Sequence, residues 1–160
     1  MKAGIDRIEE LQDLGEVWVI DYLPRRMKGK DFFELEEVLR DRYLEEFSDK
    51  IVRILLKLLC YLPCEVYLTE LPRDYEGALK EIPAETDLRS MPLAALADLI
   101  ALVIREDVSS VQILAGECPC FNLSVNGEFS VDLHGLARDM EEWDLVDALV
   151  RQEGLFLRKL

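Results

Sequence analysis

Three strand-like segments follow one another directly in the second half of the chain, and this succession limits the folds open to it. They span 110–115, 121–125 and 129–133, with Asn126-Gly127 ahead of the third. Strands joined by so few residues pair antiparallel, whereas parallel strands need a crossover of a dozen residues or more. The sequence therefore predicts an antiparallel meander in the C-terminal half and disfavours a regular βαβ alternation.

The apolar residues beside Asn126-Gly127 indicate the geometry of this turn. Asn-Gly is typical of a two-residue hairpin loop. Such a loop would place Val125 on the same face as Glu128, whereas a three-residue loop would place it with Phe129. Because a shift of one residue moves every side chain to the other face of a sheet, we predict the three-residue loop, with Gly127 at a positive φ.

Periodic apolar residues predict the other elements around the meander. Ser48 and Ser90 stand where helix caps are expected, and Pro92 is expected in the first turn of the helix that follows Ser90. The predicted helices span 5–14, 31–47, 49–61, 91–104 and 136–153, and the other predicted strands span 16–23, 64–70 and 155–158. These elements predict an α+β fold, one domain over 1–160, with a mixed or antiparallel sheet of about five or six strands and about five helices.

The charge is unevenly distributed along the chain. The formal net charge of -14 is concentrated in three windows, 31–50, 74–87 and 139–147, while the remaining residues balance. Nucleic-acid binding is disfavoured, because each neutralised phosphate needs a local Lys or Arg. The longest apolar run, Leu99 to Ile104, is far shorter than the ~20 residues of a membrane-spanning helix. Without a secretion signal, we expect a cytoplasmic protein that binds no membrane.

The four cysteines are expected to be reduced thiols rather than a disulfide framework. Cys60 and Cys64 lie at a predicted helix end and strand start, and Cys118 and Cys120 lie between two strands. One residue between Cys118 and Cys120 is too few for an ordinary zinc knuckle. We therefore expect separate, mostly buried thiols and no metal or cofactor, with a Cys118/Cys120 redox pair as an alternative.

No catalytic signature accompanies these features, and we favour a non-enzymatic protein. The only histidine, His134, lies at a strand–helix junction, where a turn residue is expected, and no nucleophile-elbow or phosphate-loop pattern occurs. The alternative is a small hydrolase or ligand-binding domain with a carboxylate site around Asp21 and Asp98. Asp98 is the one polar residue between Leu93 and Ile104, and it lies either at a solvated edge or at a partly buried site.

One basic cluster stands out against the acidic background. Arg25, Arg26, Lys28 and Lys30 lie in the turn that leads into the second predicted helix. The cluster is a candidate anion site, although a solvated loop or pairing with Glu34 and Glu36 would also explain it.

Two segments of the sequence, one near the start of the chain and one at its end, resemble segments of small uncharacterised prokaryotic proteins. The segments are Val17-Trp-Val-Ile-Asp-Tyr-Leu-Pro24 and Glu153-Gly-Leu-Phe-Leu-Arg-Lys159. These proteins have no assigned activity, so the resemblance implies a complete small protein rather than a fragment and carries no site residue to this chain.

The sequence favours an acidic interaction module, of the inhibitor, immunity or regulatory type, that docks a basic or mixed protein surface. Clustered acids steer association with positively charged partners. The acids expected to contact such a partner are Asp139, Glu142, Asp144, Glu37 and Asp41. A homodimer through a tryptophan or the final strand is a further alternative, and the acids could also confer only solubility.

Overall fold

The computed structural model of the chain describes residues 2–69, 71–117 and 120–160 and confirms the α+β prediction. Its strands are β1 (Val17–Asp21), β2 (Cys64–Leu68), β3 (Val111–Ala115), β4 (Phe121–Gly127), β5 (Ser130–His134) and β6 (Phe156–Lys159). Its helices are α1 (Lys2–Gln12), α2 (Lys30–Tyr61), α3 (Leu93–Glu106) and α4 (Glu141–Gln152), with a 3-10 turn at Ala78–Glu81.

The six strands form one sheet in the order β2-β3-β4-β5-β1-β6, and every neighbouring pair is antiparallel. The two end segments singled out in the sequence lie side by side as β1 and β6. The outer edge of β2 is covered by the connection that follows it, where the Glu85 and Leu88 N–H groups donate to the Leu68 and Val66 carbonyls. The other edge strand of the sheet is β6.

The two faces of the sheet differ in character. One face carries buried apolar side chains and packs against α3, α4 and the second half of α2, with Ile113, Leu123 and Leu133 aligned across its centre. The opposite face is polar at its centre and is partly covered by α1, which contacts β3 and β4. Side chains alternate between faces along each strand, so every strand contributes to both environments.

Residues 30–61 form one continuous helix, and the prediction of two helices separated at Ser48 is wrong. Ser48 is 2% exposed and lies inside α2 beside the buried Phe47 and Ile51. A serine in a helix interior costs little when no Pro or Gly interrupts the backbone hydrogen bonds. This fusion accounts for a count of four α-helices in the described chain, against about five predicted.

The β4–β5 connection confirms the predicted faces and corrects the predicted loop. Val125 pairs with Val131, so the apolar residues of both strands share one face. Gly127 has the expected positive φ, but it pairs with Ser130 across a two-residue turn. An irregularity in register between Val125 and Gly127 supplies the extra residue, as a β-bulge does.

The start of α3 also differs from prediction. Pro92 is the N-cap residue rather than part of the first turn, and no side chain, including that of Ser90, caps the helix by a hydrogen bond.

Candidate functional site

The first half of α2 projects from the body of the protein. Buried residues of this helix begin at Phe47, and none lies in the segment 30–46. Arg40 ties this segment to the β4–β5 turn through an ion pair of 3.2 Å with Glu128, and it also pairs with Glu36. The Tyr22 hydroxyl donates to Glu46 at 3.1 Å. The segment is thus anchored on one side and open to solvent on the other.

Four exposed acids form a stripe along the solvent side of this segment. Glu34, Glu37, Asp41 and Glu45 follow one another at helical steps of three and four residues. At about 100° per residue they occupy an arc of about 80°, and they extend over about 16 Å of the helix. We call these four residues the acidic stripe. They include two of the predicted partner-binding residues, Glu37 and Asp41.

The acidic stripe has no internal counter-charge and has apolar neighbours. None of its four carboxylates forms an ion pair with a basic side chain of the described chain. Phe33 lies beside the stripe on one flank and is 69% exposed, and Val38 lies on the other and is 42% exposed. Aromatic residues such as Phe33 are enriched at protein interfaces, where charged residues form the rim.

A cleft of about 1100 Å³ lies on the opposite side of the same helical segment. Its walls are the inner face of α2, through Phe32, Leu35 and Leu39, and the segment that joins β1 to α2. Its floor is the polar face of the sheet, where Val19 and Asp132 lie next to each other on β1 and β5. The cleft is as large as the pockets that hold small molecules.

Asp132 is a half-buried carboxyl on the floor of this cleft. Asn126 Nδ2 donates to its Oδ2 at 3.1 Å. Partial burial raises the pKa of Asp132 above its usual value, while His134 on the same strand acts in the opposite direction. No basic side chain of the described residues forms an ion pair with it. It is therefore a carboxylate held without a counter-ion in a concave site.

A chain of side-chain hydrogen bonds leads to Asp132 across the polar face. Asn122 Nδ2 donates to Gln112 Oε1 at 3.0 Å, and Gln112 Nε2 donates to Ser124 Oγ at 2.8 Å. Ser124 Oγ donates in turn to Asn126 Oδ1 at 2.8 Å. The first three residues are more than nine-tenths buried. Hydrogen bonds arranged in series polarise one another, so this chain fixes the amide that donates to the carboxylate.

The predicted anion site lies at the rim of the cleft. Arg25, Arg26 and Lys28 are exposed, and Arg26 and Lys28 line the cleft. They form no ion pair with a described residue, so the alternative of pairing with Glu34 and Glu36 is not seen. The solvated-loop alternative fits their exposure.

Asp21 and Asp98 do not form a common site. Asp21 lines the cleft but is neutralised by Arg158, whose Nη2 lies 2.7 Å from Asp21 Oδ2. Asp98 is exposed on α3, in accord with a solvated edge, and it is not among the residues that line the cleft.

The three acidic windows lie in different parts of the molecule. Residues 84–88 follow the outer edge of β2, whereas α4 packs against β6 at the opposite edge of the sheet. Asp139, Glu142 and Asp144 lie at the start of α4, and ion pairing joins the end of that helix to the second half of α2. The structure therefore does not bring these three acids together with Glu37 and Asp41.

Of the described cysteines, Cys64 and Cys120 line one pocket beside α1, and Cys60 is not among the residues that line it. Cys60 is exposed, and Cys120 is buried. Burial raises the pKa of the Cys64 thiol to about 11, which makes it a poor nucleophile at neutral pH. Cys118, and with it the alternative of a Cys118/Cys120 redox pair, lies outside the described residues. Within the described residues, no three His, Cys, Asp or Glu side chains are arranged to hold a metal ion.

His134 is the last residue of β5 rather than a turn residue, and it lies opposite Asn122. Its Nδ1 and Asn122 Oδ1 are buried without a hydrogen-bond partner among the described residues.

Asp132 and its hydrogen-bonded chain are absent from the sequence-based candidates. The sequence does contain a pattern that corresponds to this site. Polar and apolar residues alternate along the meander, and Gln112, Ser124 and Asp132 lie on the face opposite the apolar one. Alternation of this kind is usually a solvated sheet face, so the pattern alone does not mark a site.

Comparison of this chain with protein-family models, with curated proteins and with solved structures finds no match. None of the described helices combines the length and the apolar content needed to cross a membrane.

Proposed function

We propose that this protein is an acidic interaction module that binds a basic protein through the acidic stripe. The observation that carries the proposal is the set of four exposed, unpaired acids on the half of α2 that leaves the core. Charged residues are normal on the solvent face of a helix, but these four share one sign and one arc and form no ion pair with a described residue. A stripe of one sign attracts a surface of the other sign and orients it during encounter.

The apolar flanks of the stripe support a specific contact rather than simple charge attraction. Phe33 and Val38 border the acids on either side. Buried aromatic anchors supply most of the binding energy at protein interfaces, while surrounding charges contribute to orientation and association rate. The expected partner therefore has Lys or Arg side chains around an apolar pocket that accepts Phe33.

The proposal uses Glu37 and Asp41 and leaves out the acids at the start of α4, because the two groups lie apart. We place the interaction in the cytoplasm, as the sequence indicates. Nucleic acid is disfavoured as the partner, because a phosphate backbone would be repelled by the stripe. Two copies of the chain joined through the stripe would also repel each other, so a partner of opposite charge is favoured over a homodimer of this kind.

The test compares two variants that lose the same charge in different places. One carries Glu34→Gln, Glu37→Gln, Asp41→Asn and Glu45→Gln, and the other carries Asp139→Asn, Glu141→Gln, Glu142→Gln and Asp144→Asn. Each variant and the unmodified protein is used to capture proteins from lysate of the source cells at low and high salt, with quantification by mass spectrometry.

A basic protein that is retained by the α4 variant and lost by the stripe variant supports the proposal. The same protein should bind Phe33→Ala at least tenfold more weakly. Equal capture by both variants would show that the stripe is not the contact surface. Loss by the α4 variant alone would move the contact to Asp139, Glu142 and Asp144.

A further inference from the structure

We propose that the cleft beneath the first half of α2 binds a small amphipathic primary amine, with Asp132 as the counter-ion of its ammonium group. This inference does not depend on the proposed partner, because none of the four acids of the stripe lines the cleft; Phe33, on the flank of the stripe, is the one residue that both proposals share.

The position of Asp132 is the first argument. A carboxylate that is partly removed from water is costly unless it is paired. Asp132 accepts one hydrogen bond from Asn126 on Oδ2, whereas Oδ1 has no hydrogen-bond partner among the described residues. Its partial burial makes an incoming charge more effective than it would be at the surface. A ligand cation would therefore satisfy both the charge and the free oxygen.

The rigidity of the site is the second argument. The amide of Asn126 is itself held by Ser124 and Ser110, whose hydroxyls donate to Asn126 Oδ1 at 2.8 and 3.0 Å. Behind Ser124 stand the buried Gln112 and Asn122. A carboxylate oriented by buried neighbours loses little freedom on binding, and preorganisation of this kind increases affinity.

The hydrogen-bonding capacity of Asp132 selects the type of cation. A guanidinium group binds best when both carboxylate oxygens accept in parallel. Asn126 already uses one acceptor position on Oδ2, so Oδ1 is the oxygen without a partner, and the compact charge of an ammonium group can bind there without a two-oxygen approach. The apolar walls formed by Val19, Phe32 and Leu35 would contact the alkyl or aryl body of the ligand.

The charges around the cleft favour a cation over an anion. Arg158 is occupied by Asp21, and Arg40 is shared by Glu36 and Glu128. The cations that remain, Arg26 and Lys28, are exposed at the rim, where solvent screens them. The formal net charge of -14 further favours the entry of a cation.

The experiment uses hexylamine as the probe, with hexanol and hexanoate as neutral and anionic controls of the same length. Binding is measured by calorimetry and by thermal shift at physiological ionic strength. We expect saturable binding of hexylamine and an increase in Tm, weaker effects of hexanol, and none of hexanoate. Asp132→Asn should weaken hexylamine binding at least tenfold, whereas Asp98→Asn, which removes one exposed acid outside the cleft, should leave it unchanged.

Phe32→Ala provides a second test that retains the carboxylate, and it should weaken binding of hexylamine about three- to tenfold through lost apolar contact. Equal binding by Asp132→Asn and the unmodified protein would overturn the inference. Preferential binding of hexanoate would do so as well and would assign the cleft to Arg26 and Lys28. Absence of saturable hexylamine binding up to 10 mM, a concentration about tenfold above a Kd of 1 mM, would also overturn it.

Discussion

Single residues in this protein show a conflict between stability and the requirements of a site. Asp132 is half-buried without a basic partner, although an apolar or neutral residue at the same position would avoid the cost of removing charge from water. Residues that destabilise a fold at a concave surface are often retained for binding. Its neighbour Asp21 has no such cost, since Arg158 neutralises it.

The pH dependence of the free energy of unfolding should reveal the protonation state of Asp132. The folded-state pKa is raised above the unfolded value of 3.8, so the folded protein binds more protons between the two values. The contribution of this group to stability is therefore fully present below pH 3.8 and is lost as pH rises through the folded-state pKa.

Asp132→Asn should remove the loss of stability that accompanies ionisation of Asp132 as pH rises. We expect the variant to gain up to about 1 kcal/mol in free energy of unfolding at pH 7 relative to the unmodified protein. The gain should shrink as pH falls toward 3.8. Urea denaturation across this range, with Asp98→Asn as the exposed control, measures the difference. Other ionisable side chains near Asp132 are His134 on the same strand and the Asp21–Arg158 pair of the cleft. A variant that is less stable at pH 7 would show that the carboxylate is stabilised in the folded state.

At the scale of elements, α2 has two roles in one helix. Its second half contributes Ile51, Ile54 and Leu55 to the core, while its first half separates the acidic stripe from the cleft. The continuity of the helix couples the two halves, because the packed half sets the direction in which the exposed half projects. A break at Ser48 would have allowed the first half to pack against the body and close the cleft.

Substitution of Ser48 distinguishes a continuous helix from two capped helices. Loss of an N-cap serine costs about 1 kcal/mol, whereas alanine is the better residue inside a helix. We therefore expect Ser48→Ala to be neutral or to stabilise the protein by up to about 0.5 kcal/mol in urea denaturation.

Ser109→Ala is the matched control for another buried serine. The Ser109 hydroxyl lies 3.0 Å from Thr69 Oγ1 and donates to the Thr69 carbonyl at 3.1 Å. Its loss should cost about 1 kcal/mol. A similar cost for Ser48→Ala would contradict the interior position of Ser48.

The whole molecule carries its excess negative charge on several sides. The acidic stripe, the edge connection beside β2 and the start of α4 are distributed around the sheet. Net charge of this size opposes the compact state through self-repulsion, and salt screens that repulsion. Ion pairs such as Arg53–Glu153 act in the opposite direction, but exposed pairs contribute little.

Added salt should therefore stabilise the protein. If screening contributes about 1 kcal/mol, Tm should rise by about 2–4 °C between low and moderate NaCl concentration. The variant that neutralises the four acids of the stripe should show a smaller increase, since it carries four negative charges fewer. Calorimetry of both proteins provides the measurement. A Tm that falls with NaCl would mean that ion pairs outweigh repulsion.

The positions and types of most elements were determined by the sequence, because apolar periodicity is a local property. Short apolar or alternating runs mark the six strands, and the shared face of β4 and β5 follows from alternation. The strand order, the continuity of α2 and the cleft were decided only by tertiary structure. Asp21 and Arg158, for example, are separated by 137 residues and meet because β1 and β6 pair. Asp132 becomes a candidate ligand-binding residue for the same reason, since its partial burial depends on contacts from distant parts of the chain.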